Sequence, residues 1–231
     1  MHLHTNQMSD SFRIGAILAM VGGLLDAYTF LIRGQVFSNA QTGNMVLLGI
    51  HLWTGNWLRA WFYLVPILAF VLGIFINEWI KRHLDGLWMF HWRQIVLLME
   101  IVALVIVVLL PPGKTDTAAN ALISFICSLQ VQSFRKVHGL QYATTMCTGN
   151  LRSGTEYLVQ YFQTKERKQF EKSLNYYGII LFFILGAGMG AIFCNKWHPL
   201  PLVLCLILLC LVFLMLFQKP ETSSAEPKSK S

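Results

Sequence analysis

With 231 residues, 55% of them hydrophobic and only 13% charged, and a mean hydropathy of +0.53, the chain is not an ordinary soluble domain, whose charged share is about 25%. The formal net charge of +7 does not point to nucleic acid, because the Lys and Arg residues sit in short loops between apolar runs, where they control membrane topology. The expected fold class is all-α, a polytopic membrane helix bundle whose first partner is the lipid bilayer.

Residues 1–12 are polar and read as an unstructured terminus. The first apolar segment, 13–32, is long enough to span, so it reads as a retained helix and not as a removed signal peptide. It carries the pair Gly22-Gly23, which lets another helix approach closely. It also carries Asp26, an acid that costs about 2.5–3.5 kcal/mol to insert and so must face protein or a wet cavity.

A polar run, Ser38-Asn39-Ala40-Gln41, then leads into Thr42-Gly43-Asn44. The apolar stretch behind it, 45–54, is too short for a span of about 20 residues. A full span follows over 61–80, with Pro66 and Gly73 as hinge or packing positions. Another covers 95–110, with Glu100 near its middle. Glu100 reads as an acid that snorkels or pairs in an oligomer interface, ranked below Asp26.

The plan then repeats. Residues 118–134 are apolar with Gln130 and Gln132 near the end, and Thr148-Gly149-Asn150 comes about 105 residues after the first Thr-Gly-Asn. Arg152 and Glu156 follow at a spacing that pairs them on one helix face. Residues 165–172 read as a charged surface loop. A span over 175–194 offers Gly186, Gly188 and Gly190 as a packing face, and a last span covers 200–217. Residues 219–231 form a polar tail. The expected organisation is one membrane domain of two homologous halves, 13–113 and 114–218.

Charge counting selects the topology. If the two Thr-Gly-Asn segments enter the membrane and return, six helices span, and 14 of the 18 Lys and Arg lie on the cytoplasmic side with both termini. Three spans per half make the halves inverted repeats. The two motifs then enter from opposite faces, Gly43 and Gly149 permitting a backbone break and Thr42, Asn44, Thr148 and Asn150 supplying short polar groups. Asp26 from one half and Gln130 and Gln132 from the other would flank them.

Cys127, Cys147, Cys194, Cys205 and Cys210 lie in or beside apolar segments without C-x-x-C spacing, and read as small hydrophobes. No metal or other cofactor is expected, and no nucleotide loop, zinc-protease motif or nucleophile elbow occurs, so the chain does not read as an enzyme. The expected function is a secondary transporter or channel for an unidentified small solute. A scaffold or sensor working through a protein partner is the alternative, and an embedded enzyme using Asp26 and Glu100 the third reading. A homo-oligomer is compatible with any of them.

The Gly23-x-x-Asp26-Ala27 run, Phe37 and the paired Thr-Gly-Asn motifs resemble the YoaK-like family of small bacterial membrane proteins, over roughly 14–217. The resemblance implies a multi-pass protein of the bacterial inner membrane, and no activity.

Overall fold

The computed structural model describes residues 11–84, 92–137, 140–142 and 147–217. Most of both expected tails, residues 1–10 and 218–231, lie outside the described residues, as do 85–91 of the expected basic loop. Among those described, the chain forms α1 (Phe12–Ile32), α2 (Gln41–Trp53), α3 (Trp57–Leu84), α4 (Trp92–Leu109) and α5 (Asp116–Ser133). A two-residue ladder, β1 (Lys136–Val137) against β2 (Leu140–Gln141), precedes α6 (Cys147–Thr164), α7 (Arg167–Lys196) and α8 (Leu200–Met215). The all-helical bundle expected from composition is the observed fold.

Four helices, α1, α3, α4 and α7, are long and apolar enough to cross a membrane. Their outward faces carry Leu68, Val71 and Phe75 on α3, Val102 and Ile106 on α4, and Ile184 and Ile192 on α7, all exposed. Continuous apolar surface on that scale needs lipid to cover it. The chain is an integral membrane protein.

Helix directions follow from which residues meet. Gly178 of α7 faces Phe12, Gly186 faces Met20, and Gly190 faces Leu24 and Ala27. So α7 runs beside α1 in the same direction. Gly73 of α3 faces Phe125 and Ser128, while Asn77 donates from Nδ2 to the Leu129 carbonyl at 3.1 Å and to Ser133 Oγ at 2.6 Å. Thus α3 and α5 also run together. Asn120 Nδ2 donates to the Arg33 carbonyl at 2.8 Å and Gln130 Nε2 to the Leu18 carbonyl at 3.0 Å, which sets α5 opposite to α1. Arg93 of α4 reaches the Ser133 carbonyl at 3.1 Å, so α4 opposes α5. Cys205 of α8 meets the Val21 carbonyl, and Leu202 lies with Tyr28 and Arg33, so α8 opposes α1.

Where α1, α4, α5 and α8 meet, Leu18, Leu24, Leu25, Leu104, Ile123, Ile126 and Leu209 form a fully buried core. Exchanging α1–α4 for α5–α8 in order maps the main helix pairs onto one another: α1 with α7 onto α3 with α5, and α2 with α3 onto α6 with α7.

Several boundaries differ from expectation. Ser11 caps α1 by accepting from the Arg13 amide, so helix begins at Phe12, which packs on Phe182. Residues 167–172, expected as a loop, are the first turns of α7, with an exposed Arg167–Glu171 pair at 3.0 Å. Gly188 has nothing within 4 Å of an added Cβ. Two residues from Gly186, it lies on the far side of the helix from the α1 contact.

Candidate functional site

After α1 the chain turns back on itself. Gly34, in the left-handed region at φ 84°, lies against the Phe62 ring of α3. Phe37 stacks on Phe30 with ring centroids 4.7 Å apart. Asn39 is level with the middle of α1: its amide donates to Asp26 Oδ1 at 2.9 Å and its Nδ2 to the Gly22 carbonyl at 2.9 Å. Residues 34–40 therefore retrace α1 to about half its length. Helix α2 starts there and climbs back, since His51 stacks on Tyr63, the neighbour of Phe62. With 13 residues it is about 20 Å long, too short for a hydrocarbon core of about 30 Å.

At the turning point three polar side chains, Gln41, Asn44 and Ser124, lock together. Gln41 Nε2 donates to the Ser38 carbonyl at 2.8 Å and to Ser124 Oγ of α5 at 3.3 Å. Asn44 Nδ2 donates to the Phe37 carbonyl at 2.7 Å and to Gln41 Oε1 at 3.0 Å. Asp26 is 6% exposed, and Ser38, Asn39 and Asn44 at most 1%. Ser38 Oγ, Asn39 Oδ1 and Asn44 Oδ1 have no hydrogen-bond partner among the described residues. Buried acceptors left bare cost about 1–3 kcal/mol each, so the site holds unspent acceptor capacity.

The second motif also opens a helix, α6. Beyond β2, Tyr142 packs on Ala19, Tyr176 and Ile179. Cys147, the first residue of α6, lies within electrostatic reach of Asp26. From there α6 runs away along α7, with Ser173 Oγ donating to the Gly154 carbonyl at 2.8 Å and Tyr161 against Phe170. Residues 143–146, part of the polar run before the second motif, lie outside the described residues.

The expected site residues thus divide. Thr-Gly-Asn is the first turn of a helix in both copies, not a break within one. The irregular backbone comes earlier, at 34–40 in the first copy. Asn44 and Asn150 are buried, while Thr42, Thr148 and Gly149 are exposed. Neither Gly43 nor Gly149 has a positive φ among those found, and Gly149 has open space around it. Gln130 faces α1 two turns from Asp26, and Gln132 turns the other way, donating to Glu78 of α3. The structure does not bring Gln132 to Asp26.

Of the packing positions, Gly23, Gly73, Gly186 and Gly190 are all in close backbone or side-chain contact with a neighbouring helix, Gly22 gives its carbonyl to Asn39, and Pro66 lies inside α3. Arg152 and Glu156 pair at 2.8 Å on an exposed face.

Glu100 neither snorkels nor reaches the surface. It is 0% exposed on the inner face of α4, and neither carboxyl oxygen has a partner among the described residues.

Sequence reasoning missed Asn39, Gln41 and Ser124 as site builders. The signal was present for two of them, in the polar run directly ahead of the first motif. It also missed Arg33, which is 1% exposed. Its guanidinium donates to Tyr28 Oη at 2.8 Å, to the Pro111 and Leu110 carbonyls at 3.1 and 2.6 Å, and to Asp116 Oδ1 at 3.1 Å. A cavity of about 140 Å³ opens beside it, lined also by His198 and Leu202. Since those protein acceptors already occupy the guanidinium, that cavity is a weaker anion site than its arginine implies.

The model of the family described as DUF1275, protein of unknown function, matches residues 14–215, in line with the resemblance to an uncharacterised family; the match carries no YoaK name. No curated protein and no solved structure matches the chain.

Proposed function

We propose, for a chain that belongs to the DUF1275 family and takes no activity from it, that the protein is a secondary transporter or channel for a small solute. Its site is the meeting place of the two re-entrant segments at Asp26. One observation carries the reading: residues 34–40 bring Asn39 onto Asp26 and Gly22 at half the length of α1, and Gln41 and Asn44 brace that returning backbone at Ser38 and Phe37. Irregular polar backbone at that depth is tolerated only where it is buried in protein or lines a water-filled cavity. The unpartnered oxygens of Ser38, Asn39 and Asn44 offer acceptors to a solute that donates hydrogen bonds.

The reading includes an inverted repeat. α1, α3 and α4 run up, down and up, and α5, α7 and α8 run down, up and down, as in carriers that alternate access by rocking one half on the other. With the amino terminus inside, 14 of the 18 Lys and Arg fall on the cytoplasmic side of a bacterial inner membrane. A scaffold acting through a partner protein needs no polar cluster inside the bundle, and an acid–base enzyme needs its carboxyls within hydrogen-bond reach. Glu100 bonds to nothing among the described residues.

The test is uptake into proteoliposomes from a panel of labelled amino acids, sugars, amines and alkali cations. Wild type takes up one class. Asp26→Asn and Asn44→Ala, reconstituted as folded protein, lose that uptake. Wild-type rates in both variants sink the site, and no uptake of any panel member by wild type sinks the transporter reading.

A further inference from the structure

The carboxyl of Glu100 is the least compensated group in the described molecule. It sits at the ninth position of the 18-residue α4, fully buried, with both oxygens bare. The same face of α4 presents Val96, Leu97, Ala103, Leu104 and Val107, all buried. From α5 the group facing it is Cys127, which lies within electrostatic reach of both Glu100 and Asp26. Cys205 of α8 lies within reach of Cys127 in turn. Beyond Cys127, on α1, stands Asp26. No Lys, Arg or His is among the groups within reach of that thiol.

A carboxylate in such surroundings must be neutralised, because the charge left alone costs several kcal/mol. Two oxygens among aliphatic and thiol side chains are too few for a metal cation, which takes about six oxygen ligands when hard. A proton needs one. We propose that Glu100 is the proton-binding residue through which the carrier is driven by a proton gradient. This rests on the transporter reading for its purpose, but not for its chemistry. The carboxylate takes a proton from water on the side to which the bundle is open, forming the carboxylic acid. It returns that proton to water on the other side after the halves have rocked, so charge and protons balance over the cycle. Cys127 lies within electrostatic reach of both Glu100 and Asp26.

Infrared pH-difference spectra of the full-length protein in lipid test the chemistry without a known solute. The wild type is expected to show a protonated-carboxyl C=O band that moves in heavy water and vanishes in Glu100→Gln. Glu100→Met fills the same space without polar atoms, so it keeps the fold should the amide variant lose it, and the band must vanish there too. A band that survives both substitutions overturns the proposal. So does a wild-type band that responds to added NaCl at constant pH and not to pH, since the ion would then be sodium. The transporter reading fails separately. If the Glu100 band is present but no panel solute moves, the proton site stands and the carrier does not. If a solute moves at a rate indifferent to the pH gradient and no band depends on Glu100, the carrier stands and the proton site does not.

Discussion

Arg33 shows how a charged residue is made tolerable at the rim of a hydrophobic bundle. Its guanidinium fork suits several acceptors at once, and the α4–α5 connection supplies them at Leu110, Pro111, Thr115 and Asp116. Asp116 in turn accepts from the Gly113 amide at 2.9 Å, and Asn120 holds the Arg33 carbonyl. Arg33→Met removes the cation and strands a partly buried carboxylate. It should lower unfolding stability by about 3–5 kcal/mol, read from the denaturation midpoint in detergent. Arg33→Met combined with Asp116→Asn should recover part of that loss, and an additive double variant would mean the pair contributes nothing. None of this was legible beforehand. Arg33 could be counted as a topology charge from the sequence, but its partners lie about 80 positions away, and only packing brings them together. Asp26 was legible, because an acid in an apolar run must be compensated somewhere. That its compensation is the backbone of the returning loop was not, since nothing in the residue types says where the loop stops.

At the scale of helices, α1 and α7 meet through glycine. A Cβ on Gly190 would stand 2.8 Å from the Ala27 Cβ and 3.2 Å from the Leu24 carbonyl oxygen. One on Gly23 or Gly186 would collide with the facing backbone at Phe183 or Met20. Gly23→Ala and Gly186→Ala should each cost about 1–3 kcal/mol through forced separation of the helices. Gly188→Ala, on the same helix with open space beside it, should be neutral or slightly stabilising. Thermal midpoints of the three variants decide the matter, and equal effects at 186 and 188 would show that helix propensity, not close approach, is measured. The glycine face of α7 was readable from spacing, except that Gly188 falls off it. The motif helices were harder. Thr-Gly-Asn at the start of an apolar stretch reads equally as a cap or as a break, and the choice depends on whether the preceding polar run has buried partners. Gly22, Asp26 and Ser124 supply them.

Over the whole molecule, exposed tryptophans and basic residues gather at opposite ends. Trp53, Trp57, Trp61 and Trp197 are exposed and gather at the end where α1 and α7 finish and α3 begins, as residues of a membrane interface do. Lys165, Arg167, Lys168 and Lys172 lie at the opposite end, in and just after the α6–α7 turn. With a membrane-impermeant thiol reagent on intact cells, Thr54→Cys should be labelled and Glu166→Cys should be labelled only after permeabilisation. Labelling of both from one side would remove the inverted arrangement. Counting Lys and Arg makes this expectation from sequence alone because the rule depends only on which loops carry charge. The shape of the packing was beyond such counting.

That packing sets a timetable. The most extensive helix pairings, α1 on α7 and α3 on α5, join the first four helices to the last four. A nascent chain that has released α1 and α2 therefore holds Gly23 ready before α7, which packs on it, is made, and the Asp26 loop before α5, whose Ser124 meets Gln41, is made. The amino-terminal half must wait in the bilayer, its most polar stretch only provisionally sheltered, until α7 is synthesised. The first four helices meet their full set of partners only once α7 and α8 are made, so a chain cut after α6 should be cleaved by added protease faster than the full-length protein in the same membrane.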